Sequence, residues 1–389
     1  MGGPRIRRTG ARAAVAAAIL LGLAPALLGG SPASATTSPP GSWSIRDSLP
    51  AAGLFLDNIS CPTTDDCFAV GEDSGADIAV ITTDGGDTWV TRSLPAATGV
   101  PGEKDYLDGV ACPTATECVA VGVATDPHGV ILGGDVVTTG DGGSTWAFQS
   151  LPSGVGGLDA VACPSPTDCY ASGDDAGDVA VIATTDGGST WVSDDLPDMM
   201  AGLDTISCPS TTDCVAAGES FAEGSDGGGF DLFTTDGGVS WSTTPLAPRM
   251  AKTMADLSCP STSDCFAVGG NSRDRVDVVE STDGGSSWKV RGVPKKLDFL
   301  GAVACPSTSE CVASGEVLNN AVTVATTNTG RSWSVRSLPT GVETPLSISC
   351  PGPASCFATS ETSTDVVILG SSNPAHRRTS SRPSTSSPA

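Results

Sequence analysis

The sequence predicts an all-β fold, a seven-bladed β-propeller made of four-stranded antiparallel blades. Three observations predict it. Seven cysteine pairs, each with five residues between its members, recur every 45 to 51 residues. A second motif, [ST]-x-D-G-G-x-[ST]-W or a close variant, follows six of these pairs. The chain also has seven tryptophans, one of which precedes the first cysteine pair.

The copy around Cys259 shows how one repeat divides into strands. Four short segments have strand-like composition: MADLSC (254–259), CFAVGG (265–270), VDVVEST (276–282) and SWKVRGVP (287–294). Pro260 cannot donate to a ladder and ends the first segment, and the STSD residues that follow favour a turn. The DGG residues tolerate positive φ and connect the third segment to the fourth. Four antiparallel strands form one blade of a propeller.

The cysteine pairs are predicted to form one local disulfide per blade. Residues that face each other across an antiparallel hairpin have Cα atoms roughly 4.5–5.5 Å apart, which suits a disulfide. Zinc ligation would need tighter spacing and usually histidines, and the chain has only two histidines. The predicted bridges are Cys61–Cys67, Cys112–Cys118, Cys163–Cys169, Cys208–Cys214, Cys259–Cys265, Cys305–Cys311 and Cys350–Cys356.

The two ends of the repeat array predict how the ring closes. Trp43 lies in SWSIRDSLP (42–50), which has the form of a fourth strand but follows no cysteine pair. The last repeat has a third strand, DVVILG (365–370), and no tryptophan strand after it. The N-terminal strand is therefore predicted to complete the last blade, which removes the unpaired edges.

The remaining segments predict export. Residues 1–35 have arginines before an apolar run and end in Ala33-Ser34-Ala35, as in a signal peptide cleaved near Ala35. Arg7-Arg8 leaves the choice between Sec and Tat export open. The predicted domains are a linker (36–41), the propeller (42–370) and a disordered Ser/Pro/Thr/Arg tail (371–389). No later segment could span a bilayer, so a secreted protein, expected to be a monomer, is predicted.

The repeated DGG motif resembles the Asp box, or bacterial neuraminidase repeat (BNR), of sialidase-like propellers and photosystem II assembly-factor-like propellers. The resemblance covers residues 42–370 and implies a turn between the third and fourth strands of each blade. It implies a structural role for the box aspartates, and the sixth copy departs from the pattern with Asn328-Thr329-Gly330. These aspartates are Asp84, Asp141, Asp186, Asp236 and Asp283.

Loop lengths predict which face binds a partner. The cysteine hairpins and DGG turns should share one face and hardly vary in length. The connections between second and third strands and between blades vary widely and should lie on the other face, although drift in unconstrained loops is an alternative. A basic cluster with adaptable apolar neighbours is the predicted contact surface. It comprises Arg249, Lys252, Arg273, Arg275, Lys295, Lys296, Met250, Met254 and Phe299.

An acidic ring is a candidate metal site. Asp57, Asp108, Asp159 and Asp204 each lie four residues before the first cysteine of their blade. Carboxylates gathered at the mouth of the central channel could attract Ca²⁺, the one cofactor that the sequence suggests. The alternative is that each aspartate caps its own turn.

Catalytic motifs do not emerge from the sequence. Sialidases resembling this chain use an F/Y-R-I-P motif, an arginine cluster and a Tyr nucleophile, whereas this chain has Ser44-Ile45-Arg46 and two tyrosines, Tyr106 and Tyr170. The net charge of −24 disfavours nucleic acid and anionic membranes as partners. A non-catalytic module that binds an extracellular protein or glycan is favoured. A sialidase-like glycoside hydrolase and a passive envelope scaffold remain the alternatives.

Overall fold

The cysteine hairpins and the DGG turns divide the repeats into short strands. In blades 1 to 5 the first strand ends at the residue before the first cysteine, which a proline follows, whereas in blades 6 and 7 the first strand continues past that proline to Ser307 and Gly352. The computed structural model describes residues 42–50, 53–97, 103–175, 178–197, 201–220, 229–245, 251–271, 276–294 and 296–372. These residues form seven four-stranded antiparallel sheets, so the predicted seven-bladed propeller is confirmed.

The first four blades follow the chain in order. Their strands are, from the first strand of blade 1 to the last of blade 4, β2 (Leu54–Ser60), β3 (Cys67–Asp73), β4 (Ala76–Thr82), β5 (Val90–Ser93), β6 (Lys104–Ala111), β7 (Cys118–Thr125), β8 (Ile131–Thr139), β9 (Ala147–Phe148), β10 (Leu158–Ala162), β11 (Cys169–Asp175), β12 (Asp178–Thr184), β13 (Val192–Ser193), β14 (Ala201–Ser207), β15 (Cys214–Ser220), β16 (Gly229–Thr234) and β17 (Ser242–Pro245).

The last three blades include the strand that begins the domain. Blades 5 and 6 and the continuous part of blade 7 consist of β18 (Ala251–Ser258), β19 (Cys265–Asn271), β20 (Val276–Ser281), β21 (Lys289–Arg291), β22 (Phe299–Ser307), β23 (Glu310–Val317), β24 (Asn320–Thr326), β25 (Ser334–Ser337), β26 (Ser347–Gly352), β27 (Ser355–Glu361) and β28 (Asp365–Ser372). Blade 7 is completed by β1 (Ser42–Pro50).

The ring closes as predicted. β1 pairs antiparallel with β28, from Ser42 opposite Ser372 to Pro50 opposite Asp365. Trp43 of β1 is buried in the core shared by blades 6 and 7. The first strands of neighbouring blades contact one another around the whole ring, including β26 of blade 7 with β2 of blade 1. These first strands are therefore the innermost ones.

The hydrophobic core lies between blades. Each apolar cluster combines side chains of adjacent sheets; Phe68 of blade 1, for example, packs with Leu107 and Val137 of blade 2. Hydrogen bonds also link blades. The Cys112 amide donates to Ser60 Oγ at 3.1 Å, and across the seam between blade 7 and blade 1 the Cys61 amide donates to Ser349 Oγ at 3.0 Å. The blades are thus stabilised mainly by their neighbours.

All seven predicted disulfides are present, one per blade, with no free cysteine among the described residues. In blade 1 the Cα atoms of Cys61 and Cys67 are 4.1 Å apart, and the other bridges are alike. Each bridge closes the hairpin between the first two strands of its blade.

Two details concern the predicted boundaries. The predicted signal peptide and linker lie outside the described residues. β28 extends to Ser372, and Ser371 is buried with its Oγ accepting a hydrogen bond from the Cys356 amide at 2.9 Å. The propeller therefore extends two residues past the predicted end at residue 370. In the described ranges, no helix has the length and apolar character of a membrane span.

Candidate functional site

The strand directions define two faces. On one face, the turn between the third and fourth strands of blades 1 to 6 bonds to the cysteine hairpin of the same blade: the Gly85 amide donates to the Asp65 carbonyl at 2.9 Å, and the Thr329 amide donates to the Ser309 carbonyl at 3.0 Å. We call this side the hairpin face. The connections between second and third strands and between blades lie at the opposite strand ends, and we call that side the variable face.

The aspartates of the DGG turns hold the turns themselves. Asp84 Oδ1 accepts a hydrogen bond from the Thr88 amide at 2.9 Å, and Asp84 Oδ2 accepts one from Thr88 Oγ1 at 2.6 Å. These bonds, the one from Thr88 Oγ1 foremost, lower the pKa of Asp84 to about 2. Asn328 reproduces the pattern in blade 6 by accepting from the Ser332 amide at 2.9 Å. The carboxylates are engaged in ordering their own turns.

Of the two tyrosines, Tyr170 has its hydroxyl held by a hydrogen bond in the core. Tyr170 is buried and donates its hydroxyl hydrogen to the Thr211 carbonyl at 2.9 Å, which links blades 3 and 4. Burial raises the pKa of Tyr170 to about 12. Tyr106 is half-buried in β6. The geometry of Tyr170 is that of a core residue.

The predicted basic cluster is only partly within the described residues. Lys296 is exposed in a left-handed backbone conformation with φ of 86°, and Phe299 is half-buried at the start of β22. Lys252 lies in β18, for which only the backbone is described at that position. Arg249, Met250, Arg273, Arg275 and Lys295 lie outside the described residues.

Met254 does not belong to an exposed surface. Its side chain is 1% exposed and packs between blades 4 and 5 with Val215, Ala217 and Leu257. β18 contains two register shifts, one between Ala251 and Thr253 and one between Met254 and Asp256, and these break the simple alternation of inward and outward side chains. The prediction that Met254 contacts a partner is therefore corrected.

The acidic ring corresponds to a repeated β-bulge. The register of the innermost strand shifts at Asp57, Asp108, Asp159 and Asp204, so each of these aspartates is the extra residue of a bulge. Asp108 is buried, and the other three are half-buried. Each of them lies within its strand. Their role as a Ca²⁺ site remains a prediction.

The variable face carries an exposed apolar hairpin that the sequence analysis did not identify. Val130, Ile131 and Leu132 are 59%, 41% and 41% exposed at the connection between β7 and β8. The tip is ordered by Asp126, whose Oδ1 accepts hydrogen bonds from the His128 and Val130 amides, both at 2.8 Å. Three consecutive exposed aliphatic side chains on a hydrogen-bonded tip are unusual unless a binding partner covers them.

A second feature missed in the sequence is a buried group of three carboxylates between blades 1 and 2. Asp77 of β4 and Asp105 and Asp135 of blade 2 are 2%, 3% and 0% exposed. One carboxylate oxygen from each lies within 4.8 Å of the others, and among the described residues this is the one such group of metal-type ligands. None of the predicted ring aspartates belongs to it.

The electrostatics of this group follow from its burial. Desolvation, together with the neighbouring Asp135, raises the pKa of Asp77 to about 11. Desolvation also raises the pKa of Asp105 to about 6, and it raises the pKa of Asp135. We call these three residues the acidic trio. Its signal in the sequence is weak, because Asp77 precedes Thr82 by five residues whereas Asp135 precedes the equivalent Thr139 by four.

Comparisons with known proteins support the fold. No protein-family model matches the chain, and no curated protein matches it in sequence. Among solved structures, YCF48 bound to D1 peptide is similar with a TM-score of 0.61 and 15% identity, covering 87% of this chain and 99% of that one. YCF48 from Cyanidioschyzon merolae is similar with a TM-score of 0.59 and 16% identity, covering 85% and 99%. The phage phi92 endosialidase is similar with a TM-score of 0.55 and 9% identity, covering 90% and 72%.

Proposed function

We propose that this protein is a secreted, non-catalytic propeller that binds an extracellular protein segment through its variable face. The observation that carries the proposal is the ordered tip of the blade 2 hairpin, where Val130, Ile131 and Leu132 are all exposed. Water-exposed aliphatic surface on a rigid frame gains free energy when a partner covers it, at about 25 cal/mol per Å².

The chemistry of this tip favours protein over glycan. Aliphatic side chains offer neither hydrogen-bond donors nor acceptors, so they cannot replace the water around sugar hydroxyls. They match the apolar centre of a protein interface, which is surrounded by polar contacts. A similar propeller, YCF48, has been solved with a peptide bound, which supports the suitability of the frame for a peptide site.

The basic residues of blades 4 to 6 are proposed as a second contact region on the same face. On an otherwise acidic chain they would steer an anionic part of the partner towards the variable face. The six residues are Arg249, Lys252, Arg273, Arg275, Lys295 and Lys296. Phe299, which is half-buried, and Met250 would add apolar contact beside them.

Two observations support the secreted location. Residues 1–35 have the composition of a signal peptide. Seven disulfides are typical of proteins that mature in an oxidising compartment, because reducing systems keep cytosolic thiols free. The partner is therefore proposed to be extracellular as well.

Retention of secreted proteins by the immobilised mature chain (residues 36–389) tests this proposal. The tip variant replaces Val130, Ile131 and Leu132 with Ser, Thr and Ser, and a second variant neutralises the six basic residues. Val239→Ser is the matched control, because Val239 is 82% exposed on the hairpin face. We expect the tip variant to lose at least about 10-fold in affinity for a retained partner, since it removes a large part of the buried apolar area.

The basic variant is expected to weaken retention mainly at low salt, because screening already weakens exposed charges at high salt. Equal retention by wild type, tip variant and Val239→Ser would refute the proposal and favour a passive scaffold. Preferential retention of a glycan would refute the choice of a protein partner. Turnover of fluorogenic glycosides, abolished by one Asp or Glu substitution on the variable face, would instead establish a hydrolase.

A further inference from the structure

The fold buries the three carboxylates of the acidic trio with few hydrogen-bond donors around them. None of the described residues donates a hydrogen bond to either Oδ atom of Asp77 or of Asp135, or to Oδ1 of Asp105. The remaining oxygen, Asp105 Oδ2, accepts a long bond from the Ala97 amide at 3.3 Å. Buried carboxylate oxygens are almost always paired, because leaving them unpaired forfeits their hydration. Five such oxygens at one place require an explanation.

The surrounding charges do not provide one. Asp77 is further repelled by Asp108, and both Asp105 and Asp135 are repelled by Glu103. Within the part of the chain that the structure describes, the charges that shift these three pKa values are negative, and each adds to the cost of ionising the trio. A positive charge must come from protons or from an ion.

Protons satisfy only part of the group. A proton shared between Asp77 and Asp135 pairs two oxygens and leaves the others without donors. A hard cation accepts six to eight oxygen ligands, so one ion can coordinate all three carboxylates and complete its shell with water or backbone carbonyls. An ion also converts mutual repulsion into attraction, because its charge lies at the point where the carboxylates converge.

We propose that Asp77, Asp105 and Asp135 form a Ca²⁺ site that links blade 1 to blade 2. Ca²⁺ is favoured over Mg²⁺, since it binds several carboxylates directly in flexible geometry whereas Mg²⁺ retains most of its water. It is favoured over Zn²⁺, which prefers imidazole and thiolate ligands that the trio does not contain. Sites in extracellular proteins operate at about 10⁻⁴–10⁻³ M calcium. Asp135 lies in the same strand as Leu132 of the proposed contact surface, but the site shares no residue with that surface and does not depend on the proposed function.

Calorimetric titration and thermal unfolding of the mature chain, first stripped with EDTA, test the proposal. We expect CaCl₂ to bind wild type with a stoichiometry of one and to raise Tm by about 4 °C when free Ca²⁺ exceeds the Kd 100-fold. Asp77→Asn and Asp135→Asn should each lose at least about 10-fold in Ca²⁺ affinity and most of the Tm response. MgCl₂ should produce a much smaller response.

The matched control is Asp231→Asn. Asp231 is also fully buried between blades, but its Oδ2 accepts a bond from Trp288 Nε1 at 3.1 Å and it belongs to no carboxylate group. This variant should keep the wild-type response to Ca²⁺. The order of the Tm values should also reverse between EDTA and Ca²⁺. In EDTA at pH 8, Asp77→Asn and Asp135→Asn should unfold at or above the wild-type Tm, because they remove repulsion between carboxylates. In Ca²⁺ the same variants should unfold below the wild-type Tm.

Three results would overturn the proposal. Neither heat nor a Tm shift of wild type with Ca²⁺ would mean that protons neutralise the trio. Persistence of Ca²⁺ binding in both trio variants would place the ion elsewhere. Binding of Mg²⁺ as tight as that of Ca²⁺ would contradict the choice of ion. If one variant fails to fold, the wild-type titration and the other variant decide.

Discussion

At the scale of single residues, the bulge on each innermost strand explains a repeated glycine on the next strand. Gly122 of β7 lies opposite Leu107, beside the bulge at Asp108. A Cβ added to Gly122 would lie 1.8 Å from the Tyr106 carbonyl oxygen, which is backbone and cannot move aside. The equivalent glycine of blade 1, Gly71, has the Phe55 carbonyl oxygen at 2.0 Å. Glycine is required at these two positions because the opposite strand leaves no space for a Cβ atom.

Gly122→Ala is expected to destabilise the protein by about 3 kcal/mol or more, because the two innermost strands of blade 2 must separate. Gly140→Ala is the control, since a Cβ there would meet nothing within 4 Å. Urea unfolding followed by tryptophan fluorescence measures both. A shift of less than 0.5 kcal/mol for Gly122→Ala would show that the strands adapt, contrary to this account.

Buried aspartates make stability depend on pH at the same scale. Burial raises the pKa of Asp231 to about 7, although the bond from Trp288 opposes the rise. The unfolded value is about 3.9, so the stability from the protonated form is complete below about pH 4 and is lost as pH rises through about 7. The turn aspartates act oppositely and at lower pH: Asp84, with its pKa lowered to about 2, loses its contribution as pH falls through that value.

We therefore expect wild type in EDTA to lose Tm between pH 5 and pH 8 more steeply than Asp231→Asn, which cannot titrate. Tm values measured in steps across this range test the difference. Parallel curves for the two proteins would mean that Asp231 titrates in the folded state as it does in the unfolded chain. The EDTA keeps any divalent ion from adding its own pH dependence.

At the scale of the structural element, the cysteine hairpin and the DGG turn act as one unit in each blade. The disulfide Cys259–Cys265 closes a small loop, and the Gly284 amide of the following turn donates to the Ser263 carbonyl of that loop at 2.9 Å. The bridge therefore supports both connections of the hairpin face. Its contribution is limited because a small loop has little entropy to lose.

Replacing Cys259 and Cys265 together with serine is expected to lower the free energy of unfolding by about 2 kcal/mol. Equilibrium urea unfolding measures the loss, and replacement of the exposed pair Ser286 and Ser287 with alanine tests the turn alone. Ser287 donates its hydroxyl hydrogen to Asp283 Oδ2 at 2.6 Å, so that variant should also be less stable. An unchanged midpoint for the cysteine variant would show that the unfolded chain gains nothing when the loop opens.

At the scale of the whole molecule, the ring depends on a strand from the opposite end of the sequence. β1 covers the edge of β28, and the seam is packed further by Trp89 of blade 1 against Phe357 of blade 7, with ring centroids 6.2 Å apart. The closed ring leaves no strand edge between the first and last blades.

Deletion of residues 42–50 is expected to lower Tm sharply and to cause association, because it exposes the edge of β28 and the cavity left by Trp43. Size-exclusion chromatography and thermal unfolding measure both effects. A synthetic peptide with residues 42–50 should restore part of the lost Tm, whereas a peptide with Trp43→Ser should restore less. A deleted chain that unfolds like wild type would contradict the observed closure.

The sequence was sufficient for the architecture because all seven blades carry the cysteine pair and six of them carry the turn followed by a tryptophan. Cysteine spacing, the proline after Cys61 and its equivalents, and the unpaired Trp43 strand define strands, disulfides and closure. The acidic trio could not be found this way. Asp77 and Asp105 come from different blades, and Asp77 and Asp135 occupy different positions relative to their turns, so no period relates them. Met254 was misplaced because bulges interrupt the alternation of its strand.

The closure of the ring by β1 and β28 also sets the order in which parts of the chain can fold. A chain that is synthesised from its N-terminus presents β1 early, yet the partner of this strand, β28, is about 320 residues away and emerges last. Until then the first strand has no sheet to join, while blades 1 to 6 can already pack on one another. Joining two ends so distant in sequence is the slowest kind of contact to form. Until they meet, the particle is an open arc with a free strand edge at its end.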